Sequence, residues 1–138
     1  MRLSNIMTGG IQTVAPGATL AEAAKKMASA DIGSLPVCSE RKVVGIITDR
    51  DIAVRAVARG LDPNATRVQD VMTREVLSCP ADSDVEAACE LMEEKQVRRL
   101  VVTDPQDAPI GIVSLGDIAL SLREAKAGVV LKKVSEPD

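Results

Sequence analysis

The sequence predicts a mixed α/β (α+β) fold: two β–α–β–β–α repeats packed through their sheets with pseudo-two-fold symmetry. Three observations predict it. The stretch Gly45-Ile46-Ile47-Thr48-Asp49-Arg50-Asp51-Ile52-Ala53 returns 66 positions later as Gly111-Ile112-Val113-Ser114-Leu115-Gly116-Asp117-Ile118-Ala119. The segments upstream recur as well, at an offset of 65, beginning with Ile6-Met7-Thr8 and Val71-Met72-Thr73. Each copy is about sixty residues, a length at which a lone domain is marginal, so a pair burying a shared sheet face is the stable solution. Residues 1–60 form the first repeat, 61–67 a linker, 68–127 the second repeat and 128–138 a tail.

Taken in order, Ile11-Gln12-Thr13-Val14 and Glu75-Val76-Leu77-Ser78 are brief extended runs closed by Pro16 and Pro80. Helices follow. Thr19-Leu20-Ala21-Glu22 and Ser83-Asp84-Val85-Glu86 read as capping boxes. Leu20, Ala23, Ala24 and Met27 make an apolar stripe at helical spacing, and Val85, Ala88, Cys89 and Met92 repeat it. The next strands are Ile32 to Val37 and Val97 to Val102, each followed by a polar turn. The second turn, Asp104 to Ala108, is one residue longer than Ser39 to Lys42, which moves the offset from 65 to 66. Val43 to Ile47 and Ile110 to Val113 are β-branched second strands. The final helix of repeat one is expected to reach Arg59 and stop at Gly60, a normal C′ residue, and that of repeat two to extend to about Ala127.

Composition removes several classes of function. The chain has 138 residues, a net charge of −3 and no aromatic side chains. Its basic residues are dispersed in sequence and it lacks stacking platforms, so no nucleic-acid partner is expected. No apolar run approaches a membrane span, and no signal-peptide core leads the chain, so no membrane partner is expected. Three cysteines without metal spacing point to a reducing cytoplasm. Histidine is absent, which excludes histidine triads, bases and metal ligands. With no nucleophile–base pair and no Gly-rich phosphate loop, no enzyme and no metal or redox cofactor are expected. Cys89 lies in a core stripe and reads as an inert buried thiol; Cys38 and Cys79 flank strands without an activating partner.

The duplicated joint is where chemistry is expected. Thr48 with Asp51, and Ser114 with Asp117, place a hydroxyl three residues before an acid where a strand turns into a helix. That spacing caps a helix, and the N-terminal donors it leaves open can meet phosphate. Capping alone and capping combined with ligand contact are both compatible with it. Arg50 stands in a first helical turn, where a cation opposes the dipole unless a phosphate or carboxylate offsets it. Arg98 and Arg99 are either a solvated strand edge or phosphate ligands; adjacent on a strand, they point to opposite faces, so at most one should enter a given cleft.

Met7-Thr8, Leu35-Pro36-Val37, the joint from Gly45 to Ile52 and their second copies closely resemble a tandem pair of CBS domains, a Bateman module, over about Asn5 to Leu122. The chain is most similar to small stand-alone bacterial proteins of one CBS pair. The resemblance implies an adenine nucleotide (AMP, ADP, ATP or a relative) bound in clefts between the repeats, with a regulatory, energy-sensing role. It implies Thr48 with Asp51 and Ser114 with Asp117 as two ribose–phosphate ends. Ile32 and Val97 match positions lining the adenine slot, Ser34 and Arg99 the position before the conserved-pattern leucine, and Arg98 and Arg99 phosphate contacts. It also implies a homodimer and an unidentified protein partner. Val101 departs from the pattern's proline, so the backbone there should differ from that of repeat one. Arg99 replaces a small residue and either fills its own cleft or serves the neighbouring one. A ligand-free interaction or dimerisation module is the alternative.

Overall fold

A computed structural model describes residues 1–135, with side chains through residue 125. Its elements are β1 (Thr8–Gly9), α1 (Leu20–Ala30), β2 (Ser34–Ser39), β3 (Lys42–Thr48), α2 (Asp49–Asp51), β4 (Ser78–Pro80), α3 (Val85–Lys95), β5 (Arg99–Thr103), β6 (Pro109–Ser114) and α4 (Leu115–Ser135). Short 3₁₀ turns at Leu3–Asn5 and Val68–Asp70 lie at the start of each copy.

One sheet has the order β1-β6-β5-β4, and the other is the β2-β3 hairpin. Two isolated bridges give the hairpin the same neighbours that β5 and β6 have. Val14 pairs parallel with Val37, as Cys79 pairs with Val102; Thr73 pairs antiparallel with Ile46, as Thr8 pairs with Ile112. The correspondence carries a crossing that the repeat pattern does not reveal. The Met-Thr segment opening each copy joins the sheet of the other copy. Core membership follows the crossing: Val68, Val71 and Met72 are buried with Leu20, Leu35 and Ile47, whereas Leu3 is buried with Val85, Leu100 and Val113.

Proline explains a difference between the sheets. Val101 N–H donates to Leu77 O at 3.0 Å. Its counterpart Pro36 has no N–H to give, so the first copy keeps a single parallel bridge where the second has the three-residue β4. The backbone difference expected at Val101 is this one. Along β2 and β5, Leu35, Val37, Leu100 and Val102 face the helices. The alternate residues Pro36 and Val101 are also fully buried yet belong to neither helix-side core, consistent with the two sheets covering each other's outer faces.

Several local expectations need correction. Ala24 is exposed, so the α1 stripe is Leu20, Ala23 and Met27; Cys89 is half-buried rather than buried. The box at Thr19 and Glu22 forms, but α3 is capped at Asp84 with no side-chain bond. The 65-residue offset aligns Asp84, not Ser83, with Thr19, and the Asp84 carboxylate turns to the N-terminal ammonium at 3.9 Å. The helix after Asp51 is a π-helix over Ile52–Val57. It ends as expected at Gly60, with φ of 72°: Leu61 N–H donates to Ala56 O and Gly60 N–H to Val57 O, both at 3.0 Å, closing a Schellman motif. α4 continues to Ser135, past its expected end near Ala127, and residues 136–138 of the expected tail lie outside those described.

Candidate functional site

Both duplicated joints fold alike. Thr48 N–H donates to Asp51 Oδ2 and Asp51 N–H to Thr48 Oγ1, each at 3.0 Å. Ser114 N–H donates to Asp117 Oδ2 and Asp117 N–H to Ser114 Oγ, again at 3.0 Å. Each box uses one carboxylate oxygen and leaves the other available. The first helical residue after each joint is tied to the loop opening the preceding strand, through Asp49 N–H to Gly33 O (2.9 Å) and Leu115 N–H to Arg98 O (2.8 Å).

The two acids then part ways. Asp51 Oδ1 lies 3.9 Å from Arg55 Nε, and that guanidinium also donates to Val71 O at 3.2 Å. At the equivalent position after Asp117 the chain has Ser121, which cannot make this pair. Asp117 instead lines a cleft of about 420 Å³ with Ile32, Ser34, Arg99, Ile112 and Ser114. The volume falls within the range of small-molecule sites. Residues of repeat one thus face the capping pair of repeat two across the space between the copies.

Residues 8–12 form another wall of this cleft and were not expected there. Their sequence signal is Gly9-Gly10, with Gly10 at φ of 60°. A Cβ at either glycine would meet nothing within 4 Å, so both border open space. The second copy has Arg74-Glu75 at these places.

A second cleft, about 600 Å³, is lined by Thr48, Arg50, Arg98, Arg99, Ser114 and Gly116 among others. Arg98 and Arg99 enter it together, contrary to the expectation that at most one would. Arg99 is the first residue of β5 and Arg98 lies just outside it, so strict strand alternation does not govern the pair. Arg50 joins them from a joint 48 residues away, so basic groups dispersed in sequence gather in space. Arg99 and Ser114 line both clefts, so the two are neighbours that share a wall. Val97, matched to Ile32 by position, packs against the second core and lines neither cleft; it borders a groove with Cys89 and Met92 that shares Arg98 and Leu115 with the arginine-lined cleft.

The cysteines lie away from this chemistry. Burial raises the thiol pKa of Cys38 and of Cys79. The folded state favours their protonated form, so there is no cost below the ordinary thiol value, about 8.5. Stability should fall as pH rises through the raised values. Urea unfolding at pH 7 and pH 10 checks this, and Cys79→Ala should reduce the alkaline loss.

No group of three His, Cys, Asp or Glu side chains suited to a metal occurs among the described residues, nor any helix long and apolar enough to cross a membrane. The family model of the CBS domain matches residues 3–57 and 68–124. The CBS domain-containing protein YhcV of Bacillus subtilis is 38% identical over 134 residues, covering 96% of this chain and 94% of its own. A crystal structure of Hypoxic Response Protein I with two coordinated zinc ions is 35% identical, with a TM-score of 0.72, covering 86% of this chain and 97% of that one. The CBS domain pair of protein MJ0100, in complex with 5′-methylthioadenosine and S-adenosyl-L-methionine, is 28% identical with a TM-score of 0.77, covering 91% of this chain and 98% of that one. Two matches spanning most of the sequence, on repeats whose strands pair position for position, establish that the chain belongs to the CBS-domain family as a tandem CBS pair.

Proposed function

We propose that this CBS pair is a regulatory module that binds an adenosine-containing metabolite in the cleft shared by Ile32, Ser34, Ser114 and Asp117. The observation that carries the reading is the Asp117 carboxylate: one oxygen closes the helix cap, and the group lines a nucleoside-sized space between the repeats. A carboxylate there accepts hydrogen bonds from vicinal ribose hydroxyls, and Ile32 and Ile112 offer apolar contact for a base. The adenosyl ligands in the MJ0100 pair support the ligand class. Binding to one conformation more tightly than another shifts the population of that conformation and so the behaviour of whatever docks on it.

Because the polypeptide has no Trp or Tyr, it hardly absorbs at 280 nm. Purified protein, freed of nucleic acid, should carry or take up a 260 nm band. Its unfolding free energy should rise by about 2.7 kcal/mol when AMP, ADP or ATP reaches a hundred times its dissociation constant. A melting curve indifferent to all three nucleotides and to S-adenosyl-L-methionine would refute ligand sensing.

A second reading rests on exposed apolar side chains, of which Leu115 also borders the arginine-lined cleft. Val54 and Val57 beyond α2, and Leu115, Leu120 and Leu122 on α4, are large apolar side chains that are 46–64% exposed. Leu115 and Leu122 are seven residues apart and share one face of α4. These faces suit a homodimer or a protein partner, with or without nucleotide. Sedimentation of wild type against Val57→Asp and Leu122→Asp distinguishes a dimer from a monomer.

A further inference from the structure

The two half-sites differ in a consistent direction. Where the Asp117 cleft has Gly33 and Ser34, the equivalent places beside the Asp51 joint are Arg98 and Arg99; where repeat two has Gly116, repeat one has Arg50. Gly33 and Ser34 line the cleft of about 420 Å³ beside Asp117, whereas the three arginines, with Gly116, line the other cleft of about 600 Å³, which does not include Asp51. Asp51 itself faces Arg55, whereas Asp117 has no ion-pair partner among the described residues. None of Arg50, Arg98 and Arg99 is ion-paired among the described residues either, although all three line one cleft. That cleft meets the Asp117 cleft at Arg99 and Ser114.

We infer that the chain binds one nucleotide rather than two, and that the second half-site has become the receptor for that nucleotide's polyphosphate chain. This rests on the function proposed above and names the ligand class more closely: a nucleoside di- or triphosphate, with its nucleoside beside Asp117 and its phosphates running past Ser114 and Arg99 toward Arg98 and Arg50. Three arginines that line one cleft without carboxylate partners among the described residues match a chain of phosphate oxygens, which guanidinium groups can bind through paired N–H donors. A monophosphate held by the same nucleoside cleft would reach Ser114 and Arg99 only.

Isothermal titration of the full-length protein with AMP and with ATP tests this. The expected result is one ATP per chain, bound more tightly than AMP. Arg50→Ala and Arg98→Ala should each weaken ATP about tenfold while leaving AMP unchanged, the loss of one charge-assisted contact. Arg59→Ala, which removes an exposed arginine outside the cleft, should not change the ATP-to-AMP ratio. Inorganic tripolyphosphate should compete more strongly with ATP than with AMP, whose phosphate overlaps it only at Ser114 and Arg99. Two ATP per chain, equal affinity for AMP and ATP, or an ATP advantage that persists in both arginine variants would overturn the inference and leave the proposed adenosine cleft standing. Failure of every adenine nucleotide and of S-adenosyl-L-methionine to bind would overturn both.

Discussion

Asp117→Asn is expected to weaken adenine nucleotide binding about tenfold or more, and Asp51→Asn to leave it nearly unchanged. A hydrogen bond to a charged acceptor contributes about 1.5–3 kcal/mol, and Asn retains a carbonyl oxygen for the cap while losing the charge. The cap is thereby separated from the ligand contact. Asp117→Ala removes the ligand contact and the bond from Ser114 N–H, while residue 117 N–H still donates to Ser114 Oγ, so it should also cost about 0.5–1 kcal/mol of stability. The asymmetry between the acids comes from Arg55, which holds Asp51 Oδ1 at 3.9 Å and is replaced by Ser121 in the second copy. Ser121→Arg should therefore weaken binding by introducing in repeat two the pair that occupies Asp51 in repeat one. Titration of the four variants with ATP, beside thermal melts without ligand, provides the check. Equal losses from Asp51→Asn and Asp117→Asn would mean that both clefts bind, and no loss from either would remove the ribose role from both acids.

Much of this was legible in the sequence because duplication supplies an internal control. The joints at Thr48 and Ser114 fold as capping boxes to the same 3.0 Å distances, since the hydroxyl-to-acid spacing is a local property of four residues. The strand hairpins and the stop at Gly60 are local in the same sense. What could not be read is non-local. The crossing of Met7-Thr8 and Met72-Thr73 into each other's sheets leaves no periodicity, because a two-residue strand has none to show. The gathering of Arg50 with Arg98 and Arg99 depends on how the two copies face one another, which no window of sequence contains. The asymmetry of the half-sites, by contrast, lay open in the alignment of the copies. Gly33 and Ser34 against Arg98 and Arg99 form a pattern whose meaning appears only once these positions are seen beside the clefts.

The crossing strands carry the second large effect. Gly45→Ala and Gly111→Ala are each expected to destabilise the fold by about 1–3 kcal/mol, the usual cost of overpacking. For a chain of this size that corresponds to roughly 3–10 °C in melting temperature. A Cβ at Gly45 would stand 2.6 Å from Met72 Sδ and 2.9 Å from Thr73 O; one at Gly111 would stand 2.5 Å from Met7 Sδ and 3.0 Å from Thr8 O. The methionine can move, but the carbonyl of Thr73 is held by Ile46 N–H at 2.9 Å, within the bridge that fastens the crossing segment. Adding the methyl group at Gly45 therefore pushes Thr73 off the sheet, and Met72 with it from the core it helps to fill. Gly17→Ala is the control, since a Cβ there meets nothing within 4 Å. The two core variants should then differ in binding. Thr8 and Gly9 line the Asp117 cleft, so Gly111→Ala should lower the stabilisation that ATP provides as well as the melting temperature itself. Gly45→Ala displaces Thr73 and should cost stability alone. Equal melting shifts with ATP in the two variants would mean that the crossing segment seals the cores without shaping the ligand cleft.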